Sequence, residues 1–121
     1  MCTTICNTFE EIEAFQDLFY SSWRTKKPKL LFSTALAGEI GEVCSTVTHL
    51  EGGGTNRKKY DKKQVLHQCV DSYVQLVLLL ARYGFSADDF EAEFWHVMKE
   101  ELPKRLEEKL SVVSICTEKS P

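Results

Sequence analysis

The chain has 121 residues, 43% hydrophobic and 27% charged, which fits one globular domain with a modest core, and its net charge of −3 gives no electrostatic basis for binding nucleic acid. The apolar run Tyr73–Ala81 is too short to cross a bilayer, and the N-terminus has no charged region leading into an apolar one, so neither a membrane nor a secretory route is expected. Five cysteines at irregular spacings, with no histidine completing a zinc pattern, read as free thiols in the reducing cytoplasm. Cys2 and Cys6 fall in an N-terminus expected to fray, while Cys44 and Cys69 read as small buried hydrophobes.

Thr8 and Glu11 have capping-box spacing, and Phe9, Ile12, Phe15, Leu18 and Phe19 recur at helical spacing. A first helix is therefore predicted from about Phe9 to Trp23, with Phe9 and Phe15 in the core. Lys26, Lys27 and Lys29 surround Pro28, which is well placed at the first turn of a second helix running to about Leu50. Cations oppose the dipole at that helix end, so they are either simply solvated or placed to meet a phosphate. Within the second helix Glu39 and Glu42 stand three apart, with Cβ atoms about 5–6 Å from each other, close enough to share one hard divalent cation. Gly38 and Gly41 each cost about 0.8–1.0 kcal/mol of helix stability relative to Ala. Either another helix approaches closely there, or metal and phosphate need room against the backbone.

The stretch EGGGTNRKKY is rich in helix breakers, and its Arg57, Lys58 and Lys59 form either a phosphate-touching lid or a solvated run. Asp61 and Gln64 cap a third helix, about Lys62 to Tyr83, which carries Gln68 and Asp71 and is apolar almost all round from Tyr73 to Ala81. A domain this small can hardly bury such a helix alone, which points to a subunit interface. Asp71 within it needs a partner, a metal or a basic side chain, to offset desolvation. Gly84 ends this helix, and Ser86 with Asp89 caps a fourth, about Ala87 to Leu102 before Pro103. Helix continues to about Leu110, which closes a single domain of residues 1–110, and residues 111–121 are expected to form a flexible tail. His49, His67 and His96 do not cluster by spacing and read as surface or satisfied histidines.

The order ExxE (Glu39, Glu42), roughly 25 residues, then QxxD (Gln68, Asp71) resembles the all-α nucleoside triphosphate pyrophosphohydrolases, the MazG-like superfamily, whose signature is ExxE followed by ExxD. The lead-in Trp23, Pro28, Lys29, Leu31, Ala35, Leu36, Gly38, Gly41 matches the dCTP pyrophosphatase branch, and the resemblance spans roughly residues 9–103. It implies an all-α, four-helix MazG-like bundle whose core is completed by oligomerisation as a homodimer or homotetramer. It also implies a cytoplasmic enzyme hydrolysing a (d)NTP, such as dCTP, to the monophosphate and pyrophosphate. By the same resemblance Glu39, Glu42, Gln68 and Asp71 hold Mg²⁺, or Mn²⁺ in its place, and carry catalysis, while Trp23 stacks on a base and Lys26, Lys27 and Lys29 meet the substrate.

Gln68 stands where the family has a carboxylate, which weakens metal binding and removes a base for the attacking water. Gln75, Phe94 and Met98 stand where the branch has Tyr, Lys and Asn. Three readings follow: an active pyrophosphohydrolase, a catalytically degenerate relative that binds nucleotide or a protein, and an engineered Glu→Gln substrate trap.

Overall fold

A computed structural model describes residues 4–52 and 60–118, with side chains to residue 111, and these residues are helical without strands. The elements are α1 (Thr4–Phe19), the short α2 (Trp23–Lys26), α3 (Lys29–Glu51), α4 (Lys62–Arg82), α5 (Ala87–His96), a π-helical turn (Val97–Glu101) and α6 (Leu102–Glu118). Cys2, the Arg57–Lys59 run and the side chain of Cys116 lie outside the described residues.

The local signals in the middle of the chain act as their chemistry dictates. Asp61 Oδ1 accepts from the Gln64 N–H at 2.8 Å while Gln64 Oε1 accepts from the Asp61 N–H at 2.7 Å, a reciprocal box that opens α4. Gly84, at φ +91°, closes it: the Gly84 N–H reaches Ala81 O and the Phe85 N–H reaches Leu80 O, a Schellman ending. Ser86 and Asp89 repeat the box at α5, and the Ser86 backbone N–H, with its hydroxyl next, holds the Asp89 carboxyl below the usual range.

At the N-terminus the same reasoning gives a different result. Helix α1 begins at Thr4, so Thr8 is internal, and its hydroxyl bonds Ile5 O at 2.8 Å and lies 2.9 Å from the Tyr73 phenol instead of capping. Cys6 is consequently buried, its thiol donating to Asp88 Oδ1 at 3.4 Å, not frayed. Cys44 on α3 and Cys69 on α4 are exposed, against the buried reading. Phe15 is also corrected: α1 turns Phe9 inward, where it packs on Phe90 with centroids 5.7 Å apart, and leaves Phe15 61% exposed.

The core gathers Cys6, Phe9, Trp23, Phe32, Val77, Leu78, Ala81 and Ala87 from α1 to α5, and α3 and α4 are its most extensively packed pair. Every residue of Tyr73–Ala81 is at least half-buried, as the all-round apolar pattern requires. Around this small core many large apolar side chains remain exposed, among them Leu18, Phe19, Leu30 and Phe85. The chain exposes 9149 Å² for a mass of 13.9 kDa, where a compact folded monomer of that mass exposes about 6,700 Å².

The fourth predicted helix does not stop before Pro103. Proline lacks an N–H, and its ring clashes with the carbonyl four residues back. The π turn just before it shifts the Leu102 N–H to Val97 O, which frees the register and lets α6 start with Pro103 in its first turn. Helix then continues through Glu118, past the Leu110 limit set by sequence. Helix α3 also differs from expectation, being long and apolar enough, at mean hydropathy 1.2, to match a membrane span by length and composition. Glu39 and Glu42 at its middle would make such a placement costly.

Among the described residues, no atom of another element lies within 4 Å of a Cβ built at Gly38 or Gly41, so close approach of a described helix does not explain them. Two alanine substitutions therefore have opposite expected signs in chemical denaturation of the isolated chain. Gly84→Ala should lose about 1–2 kcal/mol from its left-handed backbone, and Gly38→Ala should gain about 0.8–1.0 kcal/mol from helix propensity. A loss at Gly38 would mean that another surface packs against it.

Candidate functional site

Helices α3 and α4 run antiparallel, and two contacts fix their register. At one end Arg82 Nε donates to Lys27 O at 2.7 Å, and at the other His49 stacks on Tyr60 with centroids 4.4 Å apart. Equal spacings of three on two antiparallel helices bring matching residues face to face. Glu39 of α3, with Glu42, accordingly comes near Asp71 of α4, and Gln68 stands one turn before Asp71; Glu39, Gln68 and Asp71 are half-buried and Glu42 is exposed.

Glu39 registers this convergence. Burial pushes its carboxyl above the usual glutamate range, the charges of Glu42 and Asp71 and a hydrogen bond with Glu42 push it further, and His67 opposes them. Two acceptor oxygens in the cluster, Glu39 Oε2 and Gln68 Oε1, are buried without a hydrogen-bond partner. Buried acceptors without donors are rare and costly. A cation that takes hard oxygen ligands would offset the repulsion among these carboxylates and give an orphaned oxygen a partner.

The oxygens are spread along the seam and not gathered round one point. Among the described residues, the two groups whose donor atoms lie within 4.8 Å of one another are elsewhere. Cys6, Asp88 and Glu91 tie α1 to the start of α5, and Glu93, His96 and Glu101 sit at the π turn, where His96 lies 3.1 Å from Glu100 and 3.5 Å from Glu101.

The other sequence-predicted site residues lie apart from the carboxylates. Trp23 is fully buried, donating from Nε1 to Asp17 Oδ1 at 2.7 Å, with its edge on Phe32 and its face under the Arg24 guanidinium at 4.6 Å. It is a core residue with no free face for a base. Lys27 Nζ lies over the Tyr20 ring at 5.2 Å and Lys29 Nζ over the Tyr83 ring at 4.6 Å, while Lys26 is exposed. These lysines stand at the start of α3, about 15 Å along the axis from Glu39 at roughly 1.5 Å per residue, so the fold does not bring them to the carboxylates.

Beside the carboxylates opens a groove of about 370 Å³ lined by Asp61, Lys63, Gln64, His67 and Gln68. Lys63 is the cation that lines this groove with His67 and Gln68, and it was not singled out from sequence. His67, which reads from sequence as a surface or satisfied histidine, has its Nε2 3.3 Å from Asp71 Oδ2. The readable signal was its i, i+4 spacing to Asp71. Compared with protein-family models, with curated proteins and with solved structures, the chain matches none.

The sign of the pH dependence follows from Glu39. A carboxyl held above its unfolded value stabilises the fold below the ordinary glutamate range, and that contribution is lost as pH rises through the elevated folded value. In metal-free protein this one group should therefore lower the melting temperature as pH rises above the ordinary glutamate range, against Asp89, whose depressed carboxyl acts in the opposite sense. Glu39→Gln should flatten this slope and raise the melting temperature at neutral pH, as measured by thermal unfolding in chelator.

Proposed function

We propose that the chain is a divalent-metal-dependent nucleoside triphosphate pyrophosphohydrolase, acting like the family it resembles on a (d)NTP to give the monophosphate and pyrophosphate. The observation that carries this reading is the pair of buried, unpartnered acceptors, Glu39 Oε2 and Gln68 Oε1, on a face shared with Glu42 and Asp71.

Glu39 and Glu42 would hold Mg²⁺ or Mn²⁺ from α3, and Gln68 and Asp71 from α4. The bound ion supplies Lewis-acid polarisation of phosphoryl oxygens and a coordinated water of lowered pKa. Gln68 has a carbonyl oxygen to offer but cannot take a proton. A carboxylate of Glu39, Glu42 or Asp71 would then be left to take the proton of the attacking water. Lys63 stands in the adjoining groove, whose volume falls within the roughly 300–1,000 Å³ of small-molecule sites, to face the phosphates. A pyrimidine triphosphate such as dCTP is the first substrate to try.

The reading includes a homodimer or homotetramer. Its support is the apolar surface: exposed area above that of a compact monomer, and the exposed Leu102, Leu106 and Leu110 along α6, which packs chiefly against the π turn that precedes it. A second reading, a degenerate nucleotide- or protein-binding module, is favoured by one observation, the uncharged Gln68.

Pyrophosphate release from a panel of dNTPs with Mg²⁺ or Mn²⁺ tests the proposal, with sedimentation reporting the oligomer. Turnover is expected in the native chain, rising by about 10²–10⁴-fold in Gln68→Glu, which supplies a further base. No turnover in either form, with a lower metal-free melting temperature in Gln68→Glu from added like charge, would establish the binding-module reading instead.

A further inference from the structure

We infer that His67 is a ligand of the same site, giving it a nitrogen donor that shifts its preference from Mg²⁺ toward a late first-row cation such as Co²⁺ or Zn²⁺. The inference rests on the metal-dependent reading above and adds to it the identity of the ion.

Three observations carry it. First, His67 Nε2 and Asp71 Oδ2 are 3.3 Å apart on one face of α4. That separation is long for a hydrogen bond. It falls between the edges of coordination polyhedra with bonds near 2.1 Å, about 3.0 Å for an octahedron and about 3.4 Å for a tetrahedron. Second, the imidazole belongs to the cluster: it acts electrostatically on Glu39 across the helix pair and lines the groove with Gln68. Its side chain is 75% exposed, so it can turn toward an ion without unpacking the core.

The third observation is the donor set. Mg²⁺ binds through carboxylates and keeps several waters, and a neutral amide at position 68 weakens the field it needs. Imidazole suits Zn²⁺, Cu²⁺, Fe²⁺ and Ni²⁺, and the affinity of nitrogen and oxygen sites for first-row dications rises from Mn²⁺ through Co²⁺ to Cu²⁺ before falling at Zn²⁺. The exchange of charge for a carbonyl at Gln68 and the imidazole one residue earlier therefore act in the same direction.

The test titrates metal-free full-length protein, its His67→Ala and His67→Gln forms, and Glu42→Ala as site control with MgCl₂, CoCl₂ and ZnCl₂, by calorimetry and thermal shift. Spin-echo spectra of the Mn²⁺-loaded native chain look for modulation from an imidazole nitrogen. Expected are Co²⁺ and Zn²⁺ binding that both His67 substitutions weaken by about 10–100-fold while Mg²⁺ binding stays unchanged, and a nitrogen signal lost in His67→Ala. Circular dichroism confirms that the exposed substitutions fold. Unchanged ratios of Zn²⁺ to Mg²⁺ affinity in the His67 forms, with binding still lost in Glu42→Ala, would overturn the role of His67 and leave the metal site standing. Equal binding by the native chain and Glu42→Ala would remove the metal site itself.

Discussion

The antiparallel pairing of α3 and α4 sets everything else in this chain. Helices held in register by the Arg82–Lys27 hydrogen bond at one end and the His49–Tyr60 stack at the other leave no freedom over which residues meet between them. The middle of the seam therefore gathers three acidic groups, two of them half-buried. Like charge and desolvation at one place work against folding, and the raised Glu39 carboxyl shows where that work is done. The packing of Phe32, Val77, Leu78 and Ala81 elsewhere along the seam offsets it. The electrostatic cost and the capacity to bind a cation are one property seen with and without its counter-charge, because a ligand that binds only the folded state adds its binding free energy to the fold.

What could be read from the sequence was what local chemistry decides. The boxes at Asp61–Gln64 and Ser86–Asp89 and the glycine stop at Gly84 are complete within a few residues, so nothing distant could override them. The meeting of Glu39 and Asp71 was also legible, since it needs only equal spacings on two antiparallel helices. The failures share the opposite character. Thr8 has the residues of a cap, but the chain before it is already helical and its hydroxyl has the Tyr73 phenol to bond. Trp23 adjoins lysines in sequence, yet Asp17, Arg24 and Phe32 enclose it in space. Pro103 reads as a stop only if the preceding turn keeps the α register, and a π turn removes that condition.

The lysines show how far position along a helix outweighs composition. Lys26, Lys27 and Lys29 form the densest basic run among the described residues, but Tyr20 and Tyr83 hold two of their charges over exposed aromatic rings, contacts of about 0.5–1 kcal/mol each. Lys63, with only Lys62 beside it among the described residues, is the one that the α4 N-terminus places in the groove with His67 and Gln68. A cation contributes to a site through where the backbone delivers it, and a charge run marks only where many are delivered together.

The two glycines next to the carboxylates connect the site to the unburied surface. Gly38 and Gly41 weaken α3, and among the described residues a Cβ at either would meet nothing, so no packing described within the fold requires them. They leave a shallow strip of bare backbone beside Glu39 and Glu42, flanked by exposed Ile40. Backbone laid bare at a helix costs stability and is useful where something must come closer than a side chain would permit. A phosphate chain reaching the carboxylates and a second helix crossing α3 both demand that closeness. Either one covers the strip at the site, so binding and assembly draw on the same surface of α3 and must be complementary or exclusive there.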